Sequence, residues 1–248
     1  MSVDDEQGDL TALVEGAAAL GVTLDDAQVA AFARYRDLLL DWNARINLTA
    51  ITDPAEVLTR HFLDSLTCLL AVPPERRQQP LRLLDVGSGA GFPGLPLAIA
   101  CPRRRVTLLE ATGKKVRFLE TVITALGLVN AHAIHGRAEE VAHQPGQRGR
   151  YDLVTARAVA SLPTLLEYCA PFAHTGGHIL MPKKGDLAQE LAAGERAAKL
   201  LGARLLMPVP VTLPLLDDGR VIVVARQQRP CPAQYPRPAG APAKRPLG

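Results

Sequence analysis

The sequence predicts an α/β fold, in which a doubly wound, mostly parallel sheet ends in an antiparallel strand and follows an N-terminal helical segment. Three observations support this prediction. After residue 80, short apolar runs alternate with longer amphipathic stretches, as in successive βαβ units. A glycine-rich loop directly follows the first of these runs. Two strand-like runs near the end flank a hairpin turn signal.

Residues 1–79 are predicted to form a helical segment that packs on the core. Apolar side chains recur at helical spacing over 25–42, with charged residues between them, and Asp25 is placed to cap this helix. The stretches 10–20 and 58–70 have the same character and predict two further helices. The proline-rich PPERRQQP ends the last of them.

Residues 80–226 are predicted to be the α/β core. Five short apolar runs have the length of strands, and the stretches between them carry apolar residues at helical spacing. This alternation predicts parallel strands with helices on both faces of the sheet. The five strands are expected at 81–86, 106–110, 131–135, 151–156 and 177–181.

The end of the chain departs from this alternation. The runs ARLLMPVPVTL and GRVIVVARQ resemble strands, and PLLDDG between them contains the hairpin signal Asp218–Gly219. We therefore expect the sheet to finish with an antiparallel strand. Residues 227–248 are rich in proline, glycine and basic residues without an apolar period, which predicts a disordered basic tail.

The composition describes a chain that can bury a core. It has 248 residues, of which 48% are apolar. No apolar run reaches the roughly 18 uncharged residues that a membrane span needs. The first ten residues, MSVDDEQGDL, lack the basic start and the apolar core of a signal peptide. We therefore expect a cytoplasmic protein.

The stretch LLDVGSGAGFPGLPLA holds the most informative motif. Gly89, Gly91 and Gly94 satisfy the G-x-G-x-x-G pattern of a dinucleotide site, although short glycine patterns also recur by chance. Counted from Asp85, and with Gly87 included, the same stretch is D-x-G-x-G-x-G. An acid at the strand end would repel the two phosphates of a dinucleotide, whereas S-adenosylmethionine carries a sulfonium and an ammonium. Asp85 therefore favours S-adenosylmethionine as the cofactor.

Two later stretches also fit a nucleoside cofactor. Glu110 ends the second strand about 20 residues after the loop, where the ribose hydroxyls of a bound nucleoside are held. The stretch HGRAEEV follows the third strand, and Ala138–Glu139 could bond an adenine amino group there. Glu110 could instead be a surface acid, and the acids after Ala138 could simply favour a helix N-terminus.

Basic residues are clustered along the chain, although the net charge is only +3. The clusters are Arg103–Arg105, Lys114–Arg117 and Lys183–Lys184, and each fits either a nucleic-acid surface or a solvated face. The carboxyl ends of parallel strands face the ligand crevice of such a sheet. Lys183 and Lys184 should therefore lie nearer that crevice than Arg103–Arg105, which precede their strand.

The cysteines and histidines predict no metal site. Cys68, Cys101, Cys169 and Cys231 are far apart in the sequence and form no C-x-x-C pair. The histidine pairs have no carboxylate or cysteine cluster beside them.

Several motifs together resemble the bacterial ribosomal small subunit methyltransferase G family, also called glucose-inhibited division protein B. They are LLDVGSGAGFPGLPLAI, LLEATGKKVRFL, GRAEE, TARAVASL, WNARINLTAITDP and HFLDSL. The resemblance covers roughly residues 25–225. It implies a class I methyltransferase that uses S-adenosylmethionine to methylate N7 of a guanine in 16S rRNA, in a loop near the decoding centre.

The resemblance also implies a set of cofactor contacts. One departure is the stretch LLEAT, where members of the family often have Asp then Ser, and the glutamate keeps the charge with a longer reach. Together with Asp85, Gly89 and Gly91 from the loop, the expected cofactor-binding residues are Gly87, Phe92, Glu110, Ala111, Thr112, Ala138, Glu139 and Arg157.

The acceptor atom sets the expected mechanism. Guanine N7 has a lone pair and no proton, so no general base is expected, and catalysis depends mainly on positioning. Arg157, at the end of the fourth strand, is the candidate positioning residue. Because an arginine normally reads guanine through O6 and N7 together, and N7 must stay bare, we expect Arg157 on O6, on a phosphate or on the cofactor carboxylate. The alternative is a structural salt bridge to an acid such as Glu139.

The resemblance implies 16S rRNA as the partner, in the small ribosomal subunit or an assembly intermediate. The RNA-binding candidates are Lys183, Lys184, Lys114 and Lys115. We expect a monomer without a metal and without a membrane attachment. The alternatives are a methyltransferase of another RNA or of a small molecule, an RNA-binding factor without enzymatic activity, and a dinucleotide oxidoreductase, which Asp85 disfavours.

Overall fold

The computed structural model describes most of the chain. The described residues are 10–157, 160–213, 216 and 218–248. Three stretches used in the sequence predictions therefore lie partly outside the described residues. They are the N-terminal MSVDDEQGDL, the middle of TARAVASL and the linker PLLDDG.

The N-terminal segment begins with the two predicted helices. Helix α1 spans Thr11–Ala19 and helix α2 spans Asp26–Ile46. The Asp25 carboxylate accepts a hydrogen bond from the Gln28 backbone N–H at 2.8 Å, and the Gln28 side chain accepts one from Asp25 N at 2.9 Å. This reciprocal pair is a capping box, so the predicted cap of α2 is confirmed.

The third predicted helix is a continuous helical stretch that changes type along its length. It starts as α3, where the Asp53 carboxylate accepts from Glu56 N at 2.9 Å. A π-helical insertion changes which side chains face the core, and such insertions are frequent at functional sites. The parts of the stretch are α3 (Pro54–Val57), a π-helical turn (Leu58–Leu63), α4 (Asp64–Leu66) and a 3₁₀ turn (Thr67–Ala71), with a further 3₁₀ turn at Pro74–Arg76.

Among the described residues, the sheet has eight strands and the predicted doubly wound arrangement. Its order is β3-β2-β1-β4-β5-β8-β6, with β7 also paired to β8. Strands β1 to β5 are parallel, and β8 is antiparallel to β5, as the sequence predicts. The strands are β1 (Arg82–Val86), β2 (Arg105–Glu110), β3 (Ala131–His135), β4 (Tyr151–Thr155), β5 (Ala173–Lys184), β6 (Ala203–Leu205), β7 (Val209–Pro210) and β8 (Arg220–Gln227).

The sheet separates two apolar cores. Successive strand residues point to opposite faces, so Leu83 belongs to one core and Leu84 to the other. The N-terminal segment packs on the Leu83 face together with the helices that follow β1 and β2. The helices between the strands are α5 (Gly94–Ala100) and α6 (Gly113–Ala125) on the Leu83 face, and α7 (Ala138–Val141), α8 (Leu162–Cys169) and α9 (Ala188–Leu201) on the Leu84 face.

The C-terminal segment, residues 227–248, is folded onto the Leu84 face, contrary to the predicted disordered tail. Arg148 donates to the carbonyl oxygens of Tyr235 at 2.7 Å and Cys231 at 2.9 Å. The Arg237 guanidinium lies 2.6 Å from the carboxylate of the fully buried Glu167. The segment ends in a short helix, α10 (Ala241–Lys244). The residues that hold the segment, Arg148 and Glu167, lie outside it in the sequence. The composition of the segment itself therefore did not reveal these contacts.

Within the described residues, no helix is long and apolar enough to cross a membrane. The same residues contain no group of three or more His, Cys, Asp or Glu side chains that could hold a metal ion.

Candidate active site

The glycine loop between β1 and α5 has a backbone that favours glycine. Gly87, Gly89 and Gly91 have φ angles of 70°, 59° and 99°. A Cβ on Gly91 would lie 2.4 Å from a Leu95 methyl group and 2.6 Å from the Tyr35 hydroxyl, so packing explains that glycine. A Cβ on Gly89 would find its nearest described atom, the Gly87 carbonyl oxygen, at 3.9 Å. Gly89 therefore leaves space beside the loop.

Asp85 is fully buried beneath this loop. One carboxylate oxygen accepts from Gly94 N at 3.0 Å, and the other accepts from the Thr155 hydroxyl at 3.1 Å. Burial raises the pKa of Asp85 to about 6, and these two hydrogen bonds partly oppose that rise. The carboxylate connects the end of β4 to the start of α5 beneath the loop.

Glu110 ties the end of β2 to the glycine loop. Its carboxylate is buried and accepts from Gly89 N at 2.9 Å and from Thr112 N at 2.8 Å. A carboxylate has about four lone-pair positions, so it can accept further hydrogen bonds from ribose hydroxyls. The neighbouring Ala111 and Thr112 are exposed beside it.

Ala138 and Glu139 are buried at the start of α7, after β3. The Glu139 carboxylate accepts a hydrogen bond from Gly240 N at 3.0 Å. The C-terminal segment therefore contacts Glu139, one of the residues predicted to bind the adenine.

Arg157 follows β4 and makes several contacts with the helical stretch 54–71. Its Nη1 donates to the Asp64 carboxylate at 2.6 Å, and its Nη2 donates to His61 Nδ1 at 3.1 Å. The guanidinium also lies 4.9 Å from the centre of the Phe92 ring. A salt bridge exists, as one alternative expected, but its acid is Asp64 and not Glu139.

The His61 side chain is neutral, and its ring lies beside the Arg157 guanidinium. Burial lowers the pKa of His61 to about 4, and the charge of Arg157 adds to this effect. Since Arg157 donates to Nδ1, the proton is on Nε2, which lies 2.7 Å from the Thr49 hydroxyl. The ring stacks on Phe92 with 4.4 Å between centres.

A cavity of about 450 Å³ opens next to Arg157. Lys183 lines it and bonds Ala160 O at 3.0 Å and the Glu190 carboxylate at 2.7 Å. Arg220 reaches the cavity from β8, because the antiparallel register places it opposite Lys184, and it pairs with Asp64. The cavity-lining residues are Ile51, Arg60, His61, Asp64, Thr67, Arg157, Pro182, Lys183, Lys184, Glu190, Val211, Arg220, Val221 and Ile222.

The predicted site residues form two groups that Phe92 connects. In the first group, the glycine loop is hydrogen-bonded to Glu110. In the second group, Arg157 lies over the Phe92 ring and lines the cavity together with Lys183 and Lys184. Lys114 and Lys115 lie at the start of α6, outside the lining of this cavity.

Three polar residues that are linked to Arg157 at the cavity, directly or through Asp64, were not predicted from the sequence: His61, Asp64 and Arg220. The first two belong to HFLDSL, a motif already noted in the resemblance but not interpreted as part of a site. Arg220 carried no signal, because its position depends on strand pairing far along the chain.

The N-terminal segment supports the loop directly. The Tyr35 hydroxyl donates to the carbonyl oxygen of Ala90. The Tyr35 ring lies 5.0 Å from Phe62 and 5.6 Å from Phe92, measured between ring centres. Two buried contacts therefore restrain the loop: the Asp85 carboxylate at the start of α5, and the Tyr35 hydroxyl of α2 at Ala90.

Several known proteins are similar in sequence to this chain over nearly its whole length. The family model described as rRNA small subunit methyltransferase G matches residues 28–212. Ribosomal RNA small subunit methyltransferase G of Roseiflexus sp. (strain RS-1) is 47% identical over 235 residues, which cover 95% of this chain and 98% of that protein. The protein of the same name from Dehalococcoides mccartyi (strain CBDB1) is 47% identical with the same coverage.

The fold also has relatives among solved structures. The branched-chain polyamine synthase C9 mutein of Thermus thermophilus matches with a TM-score of 0.55 and 17% identity, over 80% of this chain and 64% of that chain. At that identity the likeness concerns the fold alone. The predicted class I methyltransferase fold, with its terminal antiparallel strand, is confirmed. The similarity in sequence extends over almost the full length of the relatives, and the chain belongs to the rRNA small subunit methyltransferase G family.

Proposed function

We propose that this protein transfers a methyl group from S-adenosylmethionine to N7 of a guanine in 16S rRNA. One observation carries the proposal beyond family membership. The glycine loop, braced by Asp85 and Glu110, is connected through Phe92 to a cavity rich in basic side chains. A site for a nucleoside cofactor therefore adjoins a site that suits the phosphates of RNA.

The loop residues fit S-adenosylmethionine. Gly89 leaves the backbone open, as close approach of a ligand requires. Glu110 lies at the end of β2, next to this opening, where it can accept from ribose hydroxyls. Asp85 puts a negative charge beneath the loop, which suits a sulfonium and an ammonium and disfavours the phosphates of a dinucleotide. When bound, the cofactor supplies an electrophilic methyl group.

The transfer needs no proton to move. The lone pair of guanine N7 forms the new N–C bond, the electrons of the broken S–C bond remain on sulfur, and the base becomes cationic. The protein's task is to hold the base in line with the methyl group. His61 is neutral and packed on Phe92, so it offers an uncharged surface at the boundary of the two sites.

The opposite ends of the site have separate roles. Gly87, Gly89, Gly91, Glu110 and the Ala138–Glu139 pair would hold the cofactor over β1, β2 and β3. The base would enter over β4 and β5, beside Arg157, with Lys183 and Lys184 on the RNA backbone. This division follows the rule that ligands bind where the strand order reverses, here between β1 and β4. We expect the protein to act as a cytoplasmic monomer.

The decisive experiment uses 16S rRNA and small subunits from a strain that lacks the protein. Purified protein and S-adenosylmethionine are added, and the methylated nucleoside is identified by mass spectrometry of an RNA digest. We expect one 7-methylguanosine per 16S rRNA. Methylation of a different nucleoside, or of small molecules in an RNA-free extract only, would contradict the proposal.

A further inference from the structure

The cavity beside Arg157 is mainly basic, and two acids lie among its described lining residues. Five of these residues are cationic and two are anionic, so the lining carries a net charge of about +3. Glu190 pairs with Lys183 at 2.7 Å. Asp64 pairs with Arg157, and the Arg157 guanidinium in turn lies over the Phe92 ring. The cations are Arg60, Arg157, Lys183, Lys184 and Arg220, and the anions are Asp64 and Glu190.

Asp64 joins three separated parts of the chain. Its side chain is 6% exposed, and its two oxygens pair with Arg157 after β4 and with Arg220 at the start of β8. The side chains of the two arginines are 14% and 15% exposed. Water therefore screens their charges weakly. The Asp64 carboxylate pairs with Arg157 and shares Arg220 with the more exposed Asp218, which lies 2.7 Å from Arg220 Nε.

Asp64 also restricts how Arg157 can meet a guanine. An unrestrained arginine would grip O6 and N7 together. Here Nη1 is held by Asp64 and Nη2 by His61, so the two ends of the guanidinium are already engaged. The base can approach the cavity without a cation placed on the atom that must receive the methyl group.

The reaction makes this charge balance important. Guanine is neutral before the transfer and cationic after it, so a pocket in which Arg157 and Arg220 lacked the Asp64 carboxylate would oppose the step. We propose that Asp64 is a positioning residue that turns Arg157 away from N7 and offsets Arg157 and Arg220 where the base becomes positive. This inference rests on the proposed N7 methylation.

The test compares how variants bind substrate and product RNA without any cofactor. The substrate is 16S rRNA from a strain that lacks the protein, and the product is the same RNA after complete methylation by the wild-type protein. The measured quantity is the affinity for product divided by the affinity for substrate. Asp64→Asn should lower this ratio about tenfold, because it leaves Arg157 without its carboxylate, and Arg220 with Asp218 only, near the cationic base. Arg220→Gln should raise it severalfold for the opposite reason.

The opposite signs separate charge balance from structural damage. A role in packing alone would leave the ratio unchanged in both variants or shift it in the same direction. Asp41→Asn is the control, since it removes an acid of α2 that is 56% exposed and pairs with Arg45, and neither residue lines the cavity. It should leave the ratio as in the wild type.

A second measurement follows the chemical step. In single-turnover methylation with saturating RNA and cofactor, Asp64→Asn should be slower by about tenfold or more, with unchanged affinity for S-adenosylhomocysteine. If Asp64→Asn does not fold, the rise expected for Arg220→Gln still decides the matter. A ratio that fails to rise in Arg220→Gln, or that does not fall in a folded Asp64→Asn, overturns the inference. Failure of the wild type to form 7-methylguanosine would overturn the proposed function instead.

Discussion

Gly89 and Gly91 lie two positions apart and have different physical reasons to be glycine. Gly91 is required by packing, since a Cβ would meet Leu95 and Tyr35 at clashing distances. Gly89 has space around it, and its N–H donates to Glu110. A larger residue at Gly89 would therefore act on a ligand rather than on the core.

We predict that Gly89→Asp loses cofactor affinity by about 100-fold or more, because a charged side chain would fill the space beside the loop and repel Glu110. The backbone there has φ 59°, which aspartate tolerates better than most residues. Calorimetry with S-adenosylhomocysteine measures the loss. Gly127→Asp is the matched control, with φ 61° and open space around it, and should bind as the wild type. Equal binding by both variants would show that Gly89 does not face the cofactor.

Arg157 is the candidate residue for positioning the base, and its guanidinium is held by Asp64 and His61. We expect Arg157→Ala to slow single-turnover methylation by about 100-fold, since a misplaced base loses its alignment with the methyl group. Asp64 keeps Arg220 as a partner, so the melting temperature should fall by only a few degrees, about what 1 kcal/mol produces.

Arg157→Lys should recover part of the rate, because one ammonium cannot serve Asp64 and His61 in the planar geometry of the fork. A wild-type rate in Arg157→Ala would remove this residue from the site.

Residue types and spacing predicted one half of the site and not the other. Asp85 and Glu110 could be identified because they lie at or next to the last residues of β1 and β2, beside the glycine loop. Asp64 and Arg220 could not, because their pairing depends on a helical stretch and a strand that are 156 positions apart. Local patterns carry information about neighbours in sequence, whereas this contact is made by tertiary packing.

Among the elements, strands β5 and β8 bring three of the basic residues to the cavity, Lys183, Lys184 and Arg220. Lys183 and Lys184 end β5 at the edge where Arg157 lies, whereas Arg103 and Arg105 precede or begin β2 at the opposite edge. Arg104 between them is buried and donates to the Arg77 carbonyl oxygen, so it serves the fold. Orientation of the strands thus separates two clusters that are similar in sequence.

We predict that the Lys183→Ala/Lys184→Ala double variant binds 16S rRNA about tenfold more weakly, with a shallower dependence on salt, because phosphate contacts are lost. The Arg103→Ala/Arg105→Ala variant removes the same charge from exposed positions and spares Arg104. It should bind within about twofold of the wild type. Filter binding at several salt concentrations compares them. A larger loss in the arginine variant would mean that RNA binds the other edge of the sheet.

The C-terminal segment shows an element held by other elements rather than by its own pattern. Prolines restrict its backbone, and Arg148 donates hydrogen bonds to its carbonyl oxygens. The acid Glu167 is buried beneath it. Its basic composition suggested solvation, yet the charge of Arg237 is neutralised by a partner in α8.

We predict that Arg237→Ala lowers the free energy of unfolding by about 3 kcal/mol, because it leaves the carboxylate of Glu167 buried without its cation. Arg45→Ala breaks an exposed pair with Asp41 and should cost less than about 1 kcal/mol. Urea unfolding measures both. Similar small losses would mean that the segment contributes little to stability.

At the scale of the whole molecule, the sequence predicted the order of strands and helices well. The βαβ alternation predicts that β1 to β5 are parallel, and the hairpin signal before β8 predicts the antiparallel strand. The sequence did not show that α2 and the stretch 54–71 touch the glycine loop. Tyr35 and His61 look like ordinary helix residues until the fold brings Ala90 and Phe92 against them.

Two buried groups of the site should shape the pH dependence of the whole protein's stability in opposite directions. The pKa of His61 is lowered from 6.5 to about 4, so its contribution to stability is complete above pH 6.5 and is lost as the pH falls through 4. The pKa of Asp85 is raised from 3.8 to about 6, so its contribution is complete below pH 3.8 and is lost as the pH rises through 6. Between these limits the two trends oppose each other.

We predict that single variants reveal the two trends. Relative to the wild type, His61→Asn should become less stable on going from pH 4 to pH 7, and Asp85→Asn should become more stable, each by on the order of 3 kcal/mol. Urea unfolding at closely spaced pH values gives the differences. Parallel curves for wild type and variants would show that neither group changes its protonation on unfolding.

The Asp64–Arg220 pair has a consequence for how the protein is made. A ribosome synthesises Asp64 early and Arg220 much later, so a growing chain presents an acid and Arg157 without the cation that completes the cavity. The strand that carries Arg220 must emerge and pair antiparallel with β5 before the cavity has its final wall. In an unfinished chain that stops before β8, the cavity therefore lacks the wall formed by Arg220, Val221 and Ile222, even when the glycine loop has already formed.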